Sequence, residues 1–125
     1  MNVPLLRKVK KHILAEPRRL EMNNWAVNVD EEEAPCGTQA CIAGWAVILG
    51  KGLTNNKKRE KYIDRANTHY SMNFWHNTAR KLLGLTQDQA YNLFQIHTNQ
   101  RGQSGAIFMA KKIDELIEEN RNQKQ

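Results

Sequence analysis

The segment that most constrains this chain is Cys36-Gly37-Thr38-Gln39-Ala40-Cys41-Ile42-Ala43-Gly44-Trp45-Ala46-Val47-Ile48-Leu49-Gly50, in which every residue from Ala40 to Leu49 is apolar or glycine. A helix that is apolar on all sides is buried on all sides. The run is too short to cross a bilayer. It therefore predicts a central helix over Gln39 to Leu49, with the rest of the 125-residue chain packed around it. Thr38 is the expected N-cap, its hydroxyl accepting a first-turn N–H. Gly50 and Gly52 are the expected stops. A mid-helix glycine such as Gly44 costs about 1 kcal/mol relative to alanine, which points to a close approach at that position. Ala40, Ala43, Gly44 and Val47 supply a small-residue face for it, and Ile42, Trp45, Ala46 and Leu49 a bulkier one.

The remaining segments read mostly as short amphipathic helices. Pro4 suits a first helical position behind Asn2 or Val3. Leu5, Leu6, Val9, Ile13 and Leu14 follow at helical spacing, and Pro17 ends that helix near Glu16. Leu20, Met22 and Trp25 look like anchors for a less regular stretch. Trp25 to Val29 alternates like a strand but has no visible partner, so no sheet is expected. Asp30 to Pro35 reads as an exposed acidic loop. Lys57 to Thr68 reads as a polar helix with Tyr62, Ile63 and Ala66 inward. Ser71 is expected to cap a helix through Phe74, Trp75, Thr78, Ala79, Leu82 and Leu83 that ends at Gly84. Thr86 and Gln89 form a capping box for a helix carrying Ala90, Leu93, Phe94 and Ile96, broken at Asn99 to Gly102. Ser104 opens a last helix with Ile107, Phe108, Ala110, Ile113, Leu116 and Ile117 as its apolar stripe, and a polar, frayed tail follows from about residue 120. The expected fold is all-α: one compact, bundle-like domain over residues 1–125, with five or six short helices around the buried central one.

The chain carries 19 basic and 13 acidic residues, a net charge of +6. The basic residues inside the apolar pattern of the first helix do not suit a signal peptide, and none is expected there. No segment suits a membrane, so a cytoplasmic location with reduced cysteines is expected. A basic excess favours anionic partners. The expected partner-binding residues are Arg7, Lys8, Lys10 and Lys11 on the first helix, and Lys57, Lys58, Arg59, Lys61 and Arg65 further on. An acidic protein surface is the favoured partner. The mixture of these bases with Tyr62, His69 and Tyr70 also suits phosphate contact and stacking on single-stranded nucleic acid. A merely solvated helix face is the competing reading of each cluster.

Cys36 and Cys41 are weak metal candidates: four residues separate them and no second ligand pair follows. Structural zinc sites prefer closer pairs. Cys41, in the first helical turn, is a candidate for a lowered pKa and a reactive thiol, and a disulfide between the two is a further option. Packing of both as small apolar groups is the favoured reading. Nothing in the spacing selects a role for His12, His69, His76 or His97. His69 and His76 share a face only if one helix runs through both. The run Asp30-Glu31-Glu32-Glu33 lacks the alternation and glycine of a calcium loop. Helix, Gly84-Leu85-Thr86, helix invites a helix-turn-helix reading with Gln87, Gln89, Asn92, Gln95 and Asn99 toward bases and Arg80 and Lys81 on phosphate. An ordinary short connection is the preferred alternative. No phosphate-binding loop, dinucleotide fingerprint or nucleophile elbow is present, and no cofactor is expected.

The pattern Cys36-Gly37-Thr38-x-x-Cys41-Ile42-Ala43-Gly44-Trp45-Ala46 resembles a motif of small proteins from bacteria and their phages. The stretches Ile13 to Trp25 and Ala79 to Ala90, with Leu93-Phe94, are similar to segments that flank that motif. The likeness covers three blocks and about half of the chain, and departs at Lys57 to His69 and after Phe94. It implies a shared fold and an origin in bacteria or their phages, and it carries no chemistry; an origin on a phage or mobile element would favour a host- or defence-directed binding protein. The leading expectation is a non-enzymatic binding protein that docks on a macromolecular partner, such as a host or defence complex. A small basic nucleic-acid-binding protein is the alternative, and a thiol- or zinc-dependent activity at Cys36 and Cys41 is the second alternative.

Overall fold

A computed structural model describes residues 1–71 and 73–123; Met72, and Lys124 and Gln125 of the expected polar tail, lie outside the described residues. Among the described residues there are six α-helices: α1 (Val3–Ala15), α2 (Ile42–Gly50), α3 (Asn56–His69), α4 (Phe74–Leu83), α5 (Gln87–Phe94) and α6 (Gly102–Gln123). A 3-10 turn at Pro17–Arg19 and two short strands, β1 (Ala26–Asn28) and β2 (Thr38–Ala40), complete the set. The fold is compact and mostly α, as the sequence predicts. The helix α2 is its centre, with every residue from Ile42 to Ile48 buried. It packs on α4, α1 and α5, and α6 lies against α1. Buried apolar residues from Leu5 to Ile117 form one cluster. No helix among the described residues is long and apolar enough to cross a membrane.

The entry to α2 differs from the expectation. Thr38 is not its N-cap; Thr38, Gln39 and Ala40 form β2, antiparallel to β1 in the register Ala26–Ala40, Val27–Gln39, Asn28–Thr38. Thr38 and Ala40 are buried and Gln39 between them is half-exposed, the period-2 burial of a strand. The stretch Trp25 to Val29 thus has the partner that the sequence did not reveal. Cys41 is the residue that caps α2: its Sγ accepts from the N–H of Gly44 at 3.5 Å. Its own N–H donates to the carbonyl of Asn24 at 2.9 Å. The close approach expected at Gly44 is present and comes from Trp25, the residue just before β1. A Cβ on Gly44 would fall 1.7 Å from the carbonyl oxygen of Trp25.

The other boundaries follow local chemistry. Asn2 caps α1, accepting from the N–H of Leu5 at 3.1 Å, and its Nδ2 donates to the carbonyl of Leu82 at 3.1 Å. One side chain therefore ties the start of α1 to the end of α4. Gly84 ends α4 in the left-handed region, at φ 65°. Ser71 is not the side-chain cap of α4: Asn73 holds the N-cap position without a side-chain bond, and the Ser71 carbonyl accepts from the N–H of Phe74 at 3.0 Å. The Thr86–Gln89 capping box is formed in both directions. Gly50 is the last residue of α2 rather than its stop, α5 ends at Phe94 before Ile96, and α6 opens at Gly102 rather than Ser104. The stretch from Asn120 to Gln123 continues α6 instead of fraying.

Candidate functional site

The first basic patch lies on α1. Leu5, Leu6, Val9 and Ile13 turn inward, which leaves Arg7, Lys8 and Lys11 exposed along the opposite ridge. Lys10 sits at the edge of that ridge and pairs with Asp114 of α6 at 2.8 Å, so it helps to hold α1 on α6. Arg7, Lys10, Lys11, Leu14 and Ala15 line a shallow depression, with Leu14 41% exposed.

The second patch lies on α3. Asn55 caps this helix, accepting from the N–H groups of Lys57 and Lys58 at 3.0 and 3.2 Å. Its buried residues are Arg59, Ile63 and Ala66, a row at i, i+4 and i+7. The outer side carries Lys57, Lys61, Arg65 and His69, all exposed and each four residues from the last. At a rise of 1.5 Å per residue these side chains recur about every 6 Å. Each adjacent pair of like charges at that spacing destabilises an isolated helix by ~0.2–0.5 kcal/mol. None of the ion pairs among the described residues offsets the column. Lys61, Asp64, Arg65, Thr68, His69 and Tyr70 line an open depression at its end. Asp64 is held there by the Nδ2 of Asn28, which donates to its Oδ1 at 3.0 Å. Tyr70 is 42% exposed, and its ring centroid is 4.6 Å from that of Phe74.

Arg59 does not belong to this surface. It is 6% exposed, and its guanidinium points into the fold. Nε donates to the Thr38 hydroxyl at 2.8 Å, Nη2 to the Cys36 carbonyl at 2.6 Å, and Nη1 to the Leu53 carbonyl at 3.4 Å. Nη2 also donates to the Asn56 side chain. All of these acceptors are neutral. A planar five-donor fork is suited to bind several acceptors at once, and here it ties β2 and its approach to the start of α3. The position of Arg59 in one row with Ile63 and Ala66 was the sequence signal for its burial.

The two thiols are separately engaged and free of a disulfide. Cys36 donates to the Thr38 carbonyl at 3.3 Å. Cys41 donates to the Trp25 carbonyl at 3.7 Å. Cys41 does not follow the reactive-thiol alternative: burial pushes its thiol up to about 11, against the smaller opposing effect of the Gly44 and Ala43 N–H groups. Among the described residues, no group of three or more His, Cys, Asp or Glu is placed to hold a metal ion.

The histidines are dispersed. The ring of His12 lies 4.3 Å from that of Trp45. Its Nδ1 is 3.1 Å from Nη1 of Arg19. A guanidinium only donates, so this nitrogen accepts and the ring proton is assigned to Nε2. Burial, then the charges of Arg19 and Arg59, lower its pKa to about 4. His76 is buried on α4, with Nδ1 at 2.8 Å from Nε2 of Gln95. His97 lies edge-on to Phe108 at 5.0 Å. His69 is exposed on α3, so His69 and His76 stand on different helices and do not form one face.

The base-reading and phosphate-contact residues of the less favoured helix-turn-helix reading are partly consumed by the fold. Gln89 is bonded in the α5 cap, Gln95 faces His76, and Nη1 of Arg80 turns back to the Leu85 carbonyl at 3.4 Å. The three blocks that carry the family resemblance meet around α2. Trp45 Nε1 donates to the Arg19 carbonyl at 2.9 Å, Leu20 bridges to Ala40, and α4 and α5 pack on α2. These blocks build the scaffold, and the exposed cations stand mostly outside them. The chain matches no protein-family profile, no curated protein and no solved structure.

Proposed function

We propose that this chain is a non-enzymatic docking protein that binds an acidic protein surface through the exposed cations of α1 and α3. One observation carries the reading. Arg7, Lys8, Lys11, Lys57, Lys58, Lys61 and Arg65 are all exposed and take no part in the ion pairs of the described residues. Unpaired like charges along a helix weaken it and favour an anionic partner. The high pKa of Cys41 supports docking over thiol chemistry. The resemblance to small phage and bacterial proteins adds the proposal that the partner is a host or defence complex.

The test is affinity capture of the tagged chain from host lysate, with and without nuclease. A stoichiometric protein that remains after nuclease treatment is the expected result. Recovery of nucleic acid, with protein partners lost on digestion, favours the nucleic-acid reading. That reading also predicts affinity falling steeply with salt.

A further inference from the structure

We propose that α3 is a docking strip for an acidic helix of the partner, laid along Lys57, Lys61 and Arg65, with carboxylates at every fourth residue and an apolar side chain against Tyr70. This rests on the docking reading above and narrows it to one element and one partner geometry.

The regularity of the column is the first support. Lys57, Lys61, Arg65 and His69 occupy one ridge and are exposed throughout. A partner helix with carboxylates at i, i+4 and i+8 repeats at the same ~6 Å, so each cation meets its own carboxylate. From Lys57 to Tyr70 the strip is about 20 Å long, which accommodates three to four turns of a partner helix. The ridge on α1 is less regular. Lys10 there is already paired with Asp114, and Leu14 and Ala15 end the row.

Asp64 decides between an acidic helix and a nucleic-acid strand. Its carboxylate lines the same depression as Lys61 and Arg65, held by Asn28 and free of any cation among the described ion pairs. A strand with a charged phosphate at every step is repelled there. A helix can set a neutral or donor side chain opposite Asp64 between its own carboxylates. Tyr70, half-exposed and backed by Phe74, supplies a firm apolar end to the strip. Such aromatic anchors carry a large share of the affinity in protein interfaces.

The test uses the full chain and fluorescent peptides of about 20 residues, long enough to be helical. One peptide is alanine-based, with glutamate at every fourth position and a terminal leucine. The second has the same composition with the glutamates spread around the helix. A single-stranded oligothymidylate of equal charge is the third probe. Anisotropy titration is expected to show the aligned peptide binding at least about tenfold more tightly than the dispersed one. Lys61→Glu/Arg65→Glu is expected to abolish that preference, and Lys8→Glu/Lys11→Glu to leave it unchanged.

Equal binding of both peptides, lost in the α1 variant, overturns the strip while the docking reading stands on α1. Tightest binding of the oligonucleotide, lost in the α3 variant, overturns both. Absence of binding by the aligned peptide, or binding indifferent to the α3 substitutions, also overturns the strip. Helical circular dichroism of each variant confirms that these exposed positions leave the fold intact.

Discussion

Gly44 and the carbonyl of Trp25 are in such close register that a side-chain carbon on Gly44 would lie 1.7 Å from the carbonyl oxygen. Neither group can move alone. Gly44 is inside the buried α2, and Trp25 leads into the strand that pairs with β2. Gly44→Ala is therefore expected to destabilise the fold by at least about 3 kcal/mol, since the clash is with backbone and not with a flexible side-chain end. Gly50→Ala is the contrast. Its added carbon meets only the methyl groups of Leu82 and Leu5, at 3.2 and 3.3 Å, and is expected to change stability by less than about 1 kcal/mol. Urea denaturation of both variants checks the pair.

Arg59 is expected to behave as an interior residue despite its charge. Arg59→Met leaves the Thr38 hydroxyl and the Cys36 and Leu53 carbonyls without their donor, at a cost of about 2–4 kcal/mol. Arg59→Lys keeps the charge but loses the fork, and is expected to recover less than half of that. Lys58→Met, on the exposed side of the same turn, is expected to stay within about 0.5 kcal/mol of the parent. Thermal and urea unfolding of the three variants separates these outcomes.

His12 predicts a specific acid dependence. Its pKa is lowered from 6.5 to about 4 in the folded state, by burial first and then by Arg19 and Arg59. As pH falls below 6.5, the unfolded chain takes up the proton before the folded one does. Stability from this group is thus complete above about pH 6.5 and is lost progressively as pH falls to about 4. His12→Phe removes the titration and keeps a ring against Trp45. The parent-minus-variant difference in unfolding free energy is expected to shrink as pH falls from 7 to 4, which isolates His12 from the carboxylates.

The thiols predict a clean difference in reactivity. Cys36 is half-exposed and Cys41 is buried, with its pKa raised to about 11. The thiolate is the reacting species. Iodoacetamide at pH 8 is expected to give a single adduct on Cys36 in the native protein, with Cys41 modified only as the chain unfolds. Peptide mass spectrometry with and without urea reads the result. Prompt native modification of Cys41 would contradict the burial described above.

The legible parts of the fold were those written in local periodicity. The apolar run gave the central helix, Thr86 and Gln89 gave the α5 cap, and Gly44 gave a close contact, though not the group that makes it. The strand β2 was hidden because Thr38-Gln39-Ala40 reads equally well as a helix start, and its pairing partner lies at Ala26–Asn28. Cys41 could be recognised as the cap only once Thr38 was known to be extended. Arg59 was grouped with its charged neighbours because charge normally marks a solvated face, although its spacing to Ile63 and Ala66 placed it in the inner row. Among the candidate surface cations, the sequence could not separate Lys10 from Arg7, Lys8 and Lys11, because its partner Asp114 is on a helix far along the chain.

The most direct test of the docking account compares capture by the parent with capture by a variant in which Arg7, Lys8, Lys11, Lys57, Lys58, Lys61 and Arg65 are all changed to Gln. Both are tested in nuclease-treated lysate, after their thermal stabilities have been matched. The account predicts a protein partner held by the parent at fixed stoichiometry and lost by the variant. The same partner held equally by both proteins would contradict it.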